Sequence, residues 1–318
     1  MIGRVNRLMR LRRAVSRILP APMKRLLRAV LPAAILRATP STRHFTLGMP
    51  SPPRDVGPTA RAAASPARLA FAAPYRSYVP RLLEDSGVRG YEPETMAAFL
   101  ASISLLEARE AFDVGANVGI FSLIAAATTT ARVTGFEPTP QLAATYRSVA
   151  LVNGLGCEVE ELALGAATGT ATLYISGKTD SSNSLVAGFR AAVGTVDVPL
   201  ERLDDYVARS GRRPAVMKVD TETTEPAVLE GGLETLRTVR PWIICEVLAG
   251  TTEERLMAIL RPLGYRFHHL GPNDAPVEAD TIVGDRTYRH RDWLLTPGDL
   301  PAGFGHHYRA WLGAILAA

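Results

Sequence analysis

The chain has 318 residues, 47% hydrophobic and 21% charged, with two cysteines and a formal net charge of +5. That length and composition suit one sizeable globular core with appendages, while two cysteines exclude a disulfide framework or a zinc site and fit a reducing compartment. The charge is lopsided: 12 of the 36 Lys and Arg lie in residues 1–54 with no acid among them, which leaves 24 bases against 31 acids in the rest. The basic balance therefore belongs to the amino-terminal segment and is no argument for nucleic-acid binding.

Residues 1–40 read as one or two short basic amphipathic helices, with Val5, Leu8, Val15, Ile18 and Leu19 approximating one face. No apolar run approaches a membrane span. Arg12, Arg13, Arg17 and Pro20 interrupt any signal-peptide core. One reading is an arm on an anionic membrane surface, which would make a cytoplasmic protein peripheral on the inner face; the other is a solvated or self-packed leader. The arm has no aromatic side chain to stack on bases, so nucleic acid is disfavoured as a partner. Residues 41–74, rich in Pro and Ala, read as a linker, and 75–318 as the folded domain.

Within that domain Glu92–Glu107 is expected to be helical and to lead into an apolar strand that ends at Asp113. A glycine turn, a second helix and a strand over Arg132–Phe136 follow. Further helices are expected over Gln141–Val152, from Leu203, over Pro226–Thr238 and over Glu253–Leu263. Strands are expected over Val159–Leu164, Gly169–Ile175, Val196–Leu200, Val216–Asp220 and Trp242–Val247, with strand pieces near Tyr265–Leu270 and Trp293–Thr296. Strands alternating with helices give an α/β doubly wound sheet.

The glycine turn narrows the cofactor. A dinucleotide fingerprint, G-x-G-x-x-G, lets the backbone press against a pyrophosphate. Counting from Gly115, the second and third glycine positions hold Asn117 and Ile120, with Gly119 displaced by one. A nicotinamide cofactor is thereby disfavoured, and a phosphate-free adenosine cofactor, S-adenosylmethionine, fits better. Gly115 and Gly119 permit a tight turn, the helix start and its backbone amides can hold the cofactor carboxylate, and Asn117 can bind the tail or shape the turn. Glu137, about 20 residues past the turn, can accept hydrogen bonds from both ribose hydroxyls. Glu161, of the Glu160–Glu161 pair, can meet the adenine amino group; a solvated pair is the alternative.

The motifs FDVGANVGIFSL, GFEPTP, LVNGL, ALG, LDD, KVDTETTEPAVLEGG and WIICEV, spread over Ala111–Val247, resemble in their order the FkbM family of S-adenosylmethionine-dependent methyltransferases. The resemblance implies a class I methyltransferase (Rossmann-like) fold. It also implies O-methylation of a hydroxyl on a small molecule, glycan or lipid, and a bacterial setting matches the Ala-, Arg- and Pro-rich usage. Asp113, Ala116 and Pro138 join the cofactor set through the matched motifs. One departure stands out: the family reads K-x-D-x-E-G-x-E, and Thr223 occupies the glycine position here. Asp220, Glu222 and Glu225 survive. A catalytically degenerate cofactor-binding or membrane-associated protein of the same fold is the alternative.

Methyl transfer needs an aligned acceptor oxygen and a group to take its proton. Asp220, closing a strand, should face the crevice at the carboxyl edge of the sheet, and Glu222 lies two residues on. Their repulsion can raise one pKa and make the better base. Lys218 can pair with one of the acids. Asp220, Glu222 and Glu246 could instead hold magnesium through oxygen ligands; a metal-free site is preferred. His268 and His269 can line the acceptor pocket or play a structural part.

Overall fold

The computed structural model describes residues 42–58, 67–272 and 275–318. The basic arm at 1–40 lies outside the described residues, as does the middle of the 41–74 segment. No helix among the described residues is long and apolar enough to cross a membrane.

In chain order, strands β1 (Thr42–Gly48) and β2 (Arg68–Pro74) precede helices α1 (Tyr78–Ser86) and α2 (Pro93–Leu105). Then come β3 (Glu110–Val114), α3 (Ile120–Thr128), β4 (Arg132–Phe136), α4 (Pro140–Val152) and β5 (Glu158–Glu160). An insertion of β6 (Ala163–Gly165), β7 (Gly169–Ser176) and β8 (Ala192–Arg202) leads to α5 (Leu203–Ser210), β9 (Val216–Val219), α6 (Glu225–Glu230), α7 (Leu233–Thr238), β10 (Trp242–Glu246) and α8 (Glu253–Leu260). Strands β11 (Arg266–His269), β12 (Val277–Ala279) and β13 (Asp292–Thr296) and helix α9 (Phe304–Leu316) come last.

The central sheet runs β12-β11-β13-β10-β9-β3-β4-β5. Strands β5, β4, β3, β9 and β10 are mutually parallel, and β13 is antiparallel to both β10 and β11. Side chains alternate between two cores, as a two-residue period requires. Ala111 and Ile244 join Phe99, Leu123 and Trp311 from α2, α3 and α9 on one face; Phe112, Ile243 and Cys245 join Leu203, Val228 and Leu256 from α5, α6 and α8 on the other. The doubly wound α/β architecture expected from the sequence is present.

Three expectations change. Residues 42–48 and 68–74, read as linker, pair antiparallel, with Leu69, Phe71 and Ala73 buried at alternate positions. Asn153, past the end of α4, accepts from the Ala70 amide through Oδ1 at 2.8 Å and donates to the Ala70 carbonyl through Nδ2 at 2.8 Å. One side chain thus imitates a neighbouring strand. The stretch 159–164 divides into β5 and β6, which belong to different sheets. The helix expected over 226–238 breaks at Gly231–Gly232, where an added Cβ would run into the Gly165 carbonyl and the Leu203 side chain. Helix α9, not anticipated, buries Phe304, Tyr308, Trp311 and Ile315, spaced four, three and four apart. Its Trp311 Nε1 donates to Ser104 Oγ at 2.9 Å.

Asn153→Ala should remove both bonds to β2. The loss of stability is expected to be about 1 kcal/mol, read by urea unfolding, with faster hydrogen exchange at the Ala70 amide.

Candidate functional site

The chain leaves β3 toward β4 on one side and later returns to β9 on the other. Strand order therefore reverses between β3 and β9, which opens a crevice at their carboxyl ends. Gly115 follows β3 with φ +79°, and a Cβ there would collide with the Asp220 carbonyl beyond β9. Only glycine lets these two backbones approach so closely while holding a left-handed turn. Gly119, φ +77°, starts α3 against the ring of Tyr146.

A partly open cleft occupies this crevice. Gly115, Asn117, Glu137 and Pro138 line it from the ends of β3 and β4. Leu162 and Ala163 line it after β5, and Asp220, Thr221 and Glu222 after β9. The polar connection between β7 and β8 also reaches it, through Asp180, Ser181, Asn183 and Ser184. That connection is tied to both banks: Asn183 Nδ2 donates to Thr139 Oγ1 at 3.3 Å and Ser184 Oγ to the Glu222 carbonyl at 2.7 Å.

Glu137 is 5% exposed. Its Oε2 accepts from the Asn117 amide and its Oε1 from the Thr139 amide, both at 2.8 Å. Burial outweighs these bonds and pushes the carboxyl up to about 7. Each carboxylate oxygen has two acceptor sites, so further donors can still be taken. Asn117 has φ +54°. Its Oδ1 accepts from the Val118 amide at 2.9 Å, which leaves its NH₂ group free to donate.

Several anticipated cofactor residues stand behind the cleft wall. The buried Asp113 accepts from the Ser122 amide and hydroxyl at 3.2 and 2.7 Å, fastening α3 to β3. The backbone amides expected to hold a cofactor carboxylate are already used: Gly115 and Ala116 donate to the Phe136 carbonyl, Asn117 to Glu137, and Gly119 to Ala116. Glu161 is turned away, with its Oε2 2.6 Å from Arg147 Nη1, and it does not line the cleft.

At the second site Lys218 is 3% exposed and sits 2.8 Å from Asp220 Oδ2, over the Phe121 ring. It supports Asp220 from below the cleft lining and does not itself line it. Burial pushes Asp220 up, but the charge and hydrogen bond of Lys218, with Arg291 and a hydrogen bond from Glu246, outweigh it and hold the group below its usual value. Glu222 goes the other way: burial first, then the Asp220 charge, push it up to about 8. Among the described residues no three His, Cys, Asp or Glu are arranged to hold a metal ion. His268 bonds to Thr296 at 3.1 Å and His269 to the His290 carbonyl at 2.9 Å; neither lines the cleft.

The turn after β9 carries Glu222 at φ +54° and Thr223 at φ +86°. The second value is a left-handed backbone that a β-branched residue adopts only under constraint. The constraint is Glu225, whose Oε1 accepts from the Thr221 amide and hydroxyl and from the Thr223 amide at 2.8, 3.1 and 3.2 Å. The Thr223 hydroxyl is buried without a partner. The turn therefore holds a threonine in a backbone conformation that favours glycine.

Residues 113–267 match the methyltransferase FkbM domain. Among solved structures, the chain resembles an FkbM methyltransferase from Methylobacillus flagellatus KT at 15% identity and TM-score 0.39, covering 60% of this chain and 44% of that one. It also resembles a magnesium protoporphyrin IX methyltransferase from Synechocystis PCC 6803 at 13% identity and TM-score 0.39, covering 69% and 83%. A 16S rRNA methyltransferase from T. Thermophilus, in complex with AdoMet and guanosine, aligns at 10% identity and TM-score 0.41, covering 81% and 50%. No curated protein matches the chain. The central sheet is the Rossmann-like sheet of the class I methyltransferase fold.

Thr223→Gly should relieve the left-handed strain and remove the unpartnered hydroxyl. Because glycine also gains freedom in the unfolded chain, the net stabilisation is expected to be roughly 1 kcal/mol. A lower midpoint in chemical denaturation would contradict the strain.

Proposed function

We propose that this protein transfers a methyl group from S-adenosylmethionine to a hydroxyl oxygen, with Glu222 as the base. The observation that carries the reading is one cleft holding a buried carboxylate at the end of β4 and a second, high-pKa carboxyl after β9. The residues fit the cofactor. Glu137 keeps acceptor capacity for the ribose hydroxyls, and the side-chain NH₂ of Asn117 can donate to the tail carboxylate. Leu162 and Ala163 offer an apolar surface to adenine. Gly115 keeps that end of the cleft free of a side chain.

S-adenosylmethionine supplies a methyl carbon bound to sulfonium and leaves as the neutral thioether when the C–S bond breaks. The chain's own residues orient the acceptor and remove its proton. Glu222 is placed better for this than Asp220. A carboxylate paired with a buried lysine holds protons poorly, whereas one near 8 both accepts a proton and stays partly ionised at neutral pH. Asp220 keeps Lys218 charged and raises Glu222. Ser184, bonded to the Glu222 carbonyl, fixes the turn that presents the base. Small molecules, glycans and lipids all carry suitable hydroxyls. A cytoplasmic setting is supported by the free thiols Cys157 and Cys245.

A second reading, cofactor binding without transfer, draws on Thr223, because a strained turn directly after the base can misplace it.

Methyl transfer from labelled S-adenosylmethionine to a panel of hydroxylated acceptors tests the first reading. Glu222→Gln should lower kcat by about 10²–10⁴-fold with cofactor affinity nearly unchanged. For the parent enzyme kcat should rise with pH and level off above about 8, since Glu222 must be ionised to act. A flat profile together with a fully active Glu222→Gln enzyme would rule Glu222 out as the base.

A further inference from the structure

A compact group of charges lies beside the cleft, and part of it comes from outside the matched methyltransferase segment. Glu246 ends β10, and the parallel register of β9 and β10 pairs Val219 with Cys245, which sets Asp220 and Glu246 next to one another. Glu246 is 3% exposed and forms an ion pair with Arg291. Arg291 immediately precedes β13, where its carbonyl accepts from the Val247 amide at 2.9 Å. The other arm of its guanidinium lies 3.7 Å from Glu92, at the start of α2. Asp292, next in sequence, accepts from the Thr95 hydroxyl of α2 at 2.8 Å.

Five carboxyl groups (Glu92, Asp220, Glu222, Glu246 and Asp292) thus share two buried or half-buried cations, Lys218 and Arg291. Lysine and arginine divide the work. Lys218 is a point charge that serves Asp220. Arg291 presents a planar fork that reaches two carboxyls on different elements at once. A buried acid left without either cation takes up a proton.

We propose that Arg291 is a positioning residue for the methyl-transfer base: it pins Glu246 beside Asp220, ties β10 to α2 through Glu92, and so fixes the buried carboxyls beside Glu222, the group that exchanges a proton with the acceptor. The proposal rests on the reading of Glu222 as the base. Arg291 touches neither the cleft lining nor any reacting atom; it acts through Glu246 and through its charge. The charged groups facing Glu222 are Asp220 after β9, Glu246 of β10, Arg291 before β13, Glu225 of α6 and Arg190 before β8. Of these, Arg291 and Arg190 lower its pKa, and Asp220 and Glu225 raise it. Arg190 is on the surface, where water screens its charge, so the half-buried Arg291 dominates.

The test is an NMR titration of the full chain carrying ¹³C-labelled glutamate side chains, with the Glu222 signal assigned through Glu222→Gln. Neither cofactor nor acceptor is needed. Arg291→Gln should raise the Glu222 titration midpoint by roughly one unit, and Arg291→Lys, which keeps the charge but not the fork, should restore part of the shift. Arg291→Met serves as the neutral variant if the glutamine protein is not folded by circular dichroism. A midpoint that stays put in the neutral variant overturns the proposal. Failure of the base reading shows separately, as a parent enzyme in which Glu222→Gln leaves methyl transfer intact.

Discussion

The approach of the Gly115 backbone to the carbonyl of Asp220 governs the rest of the site. Two parallel strands that diverge to opposite sides leave a crevice at their ends, but its width depends on what fills it. A side chain at position 115 would push the β9 end away. With glycine there, the turn that leads to Asn117 and the strand end that presents Asp220 and Glu222 line one cleft. Binding and proton removal become neighbours because no Cβ stands between them. Tyr146 supports this from α4: its ring packs on Gly119 and Gly135, so the start of α3 and the strand leading to Glu137 rest on one buried side chain.

The second constraint is electrostatic. Carboxyl groups outnumber cations beside the cleft, and most are deeply buried. A buried acid can be paired, can share a proton or can be neutral. Two of these appear here. Asp220 is paired with Lys218 and Glu246 with Arg291, while Glu222 is raised toward neutrality. Glu225, also raised to about 7 mainly by burial, spends one oxygen on holding the strained turn. These carboxyls differ in neighbours far more than in chemistry. Separating two adjacent acids in pKa is a general way to obtain one stable charge and one proton acceptor.

Much of the fold was legible because its signals are local. Asp113, Gly115 and Gly119 mark a strand, a turn and a helix start within seven residues, and Arg132–Phe136 is an uninterrupted short strand before Glu137. The two β-strands at 42–48 and 68–74 were not legible. Their alternation is short, it is embedded among prolines and alanines, and its partner, Asn153, lies 83 residues away. Helix α9 carries a readable spacing of Phe304, Tyr308, Trp311 and Ile315. At the site, the acids after β9 could be named from sequence, yet their division of roles could not, since it depends on Arg291 and Glu92 arriving from distant elements. The direction of Glu161 was equally hidden: a glutamate after a strand can face a cleft or an arginine on the nearest helix, and Arg147 decides it. Sequence alone marks the Thr223 departure; only the backbone, at φ +86°, shows that the threonine sits in a left-handed turn.

Calorimetric titration of the full chain with S-adenosylmethionine, S-adenosylhomocysteine and NAD, repeated with Glu137→Ala, tests the identity of the cleft most directly. If Glu137 receives the ribose hydroxyls, the first two ligands bind and NAD does not. The alanine protein then loses affinity by about 10²-fold or more, the scale of two hydrogen bonds to a charged group. Affinity should also weaken below pH 7, because a carboxyl raised to about 7 must shed its proton to accept those bonds. Binding of NAD in preference, or binding of S-adenosylmethionine that is indifferent to Glu137→Ala, would contradict the assignment of this cleft.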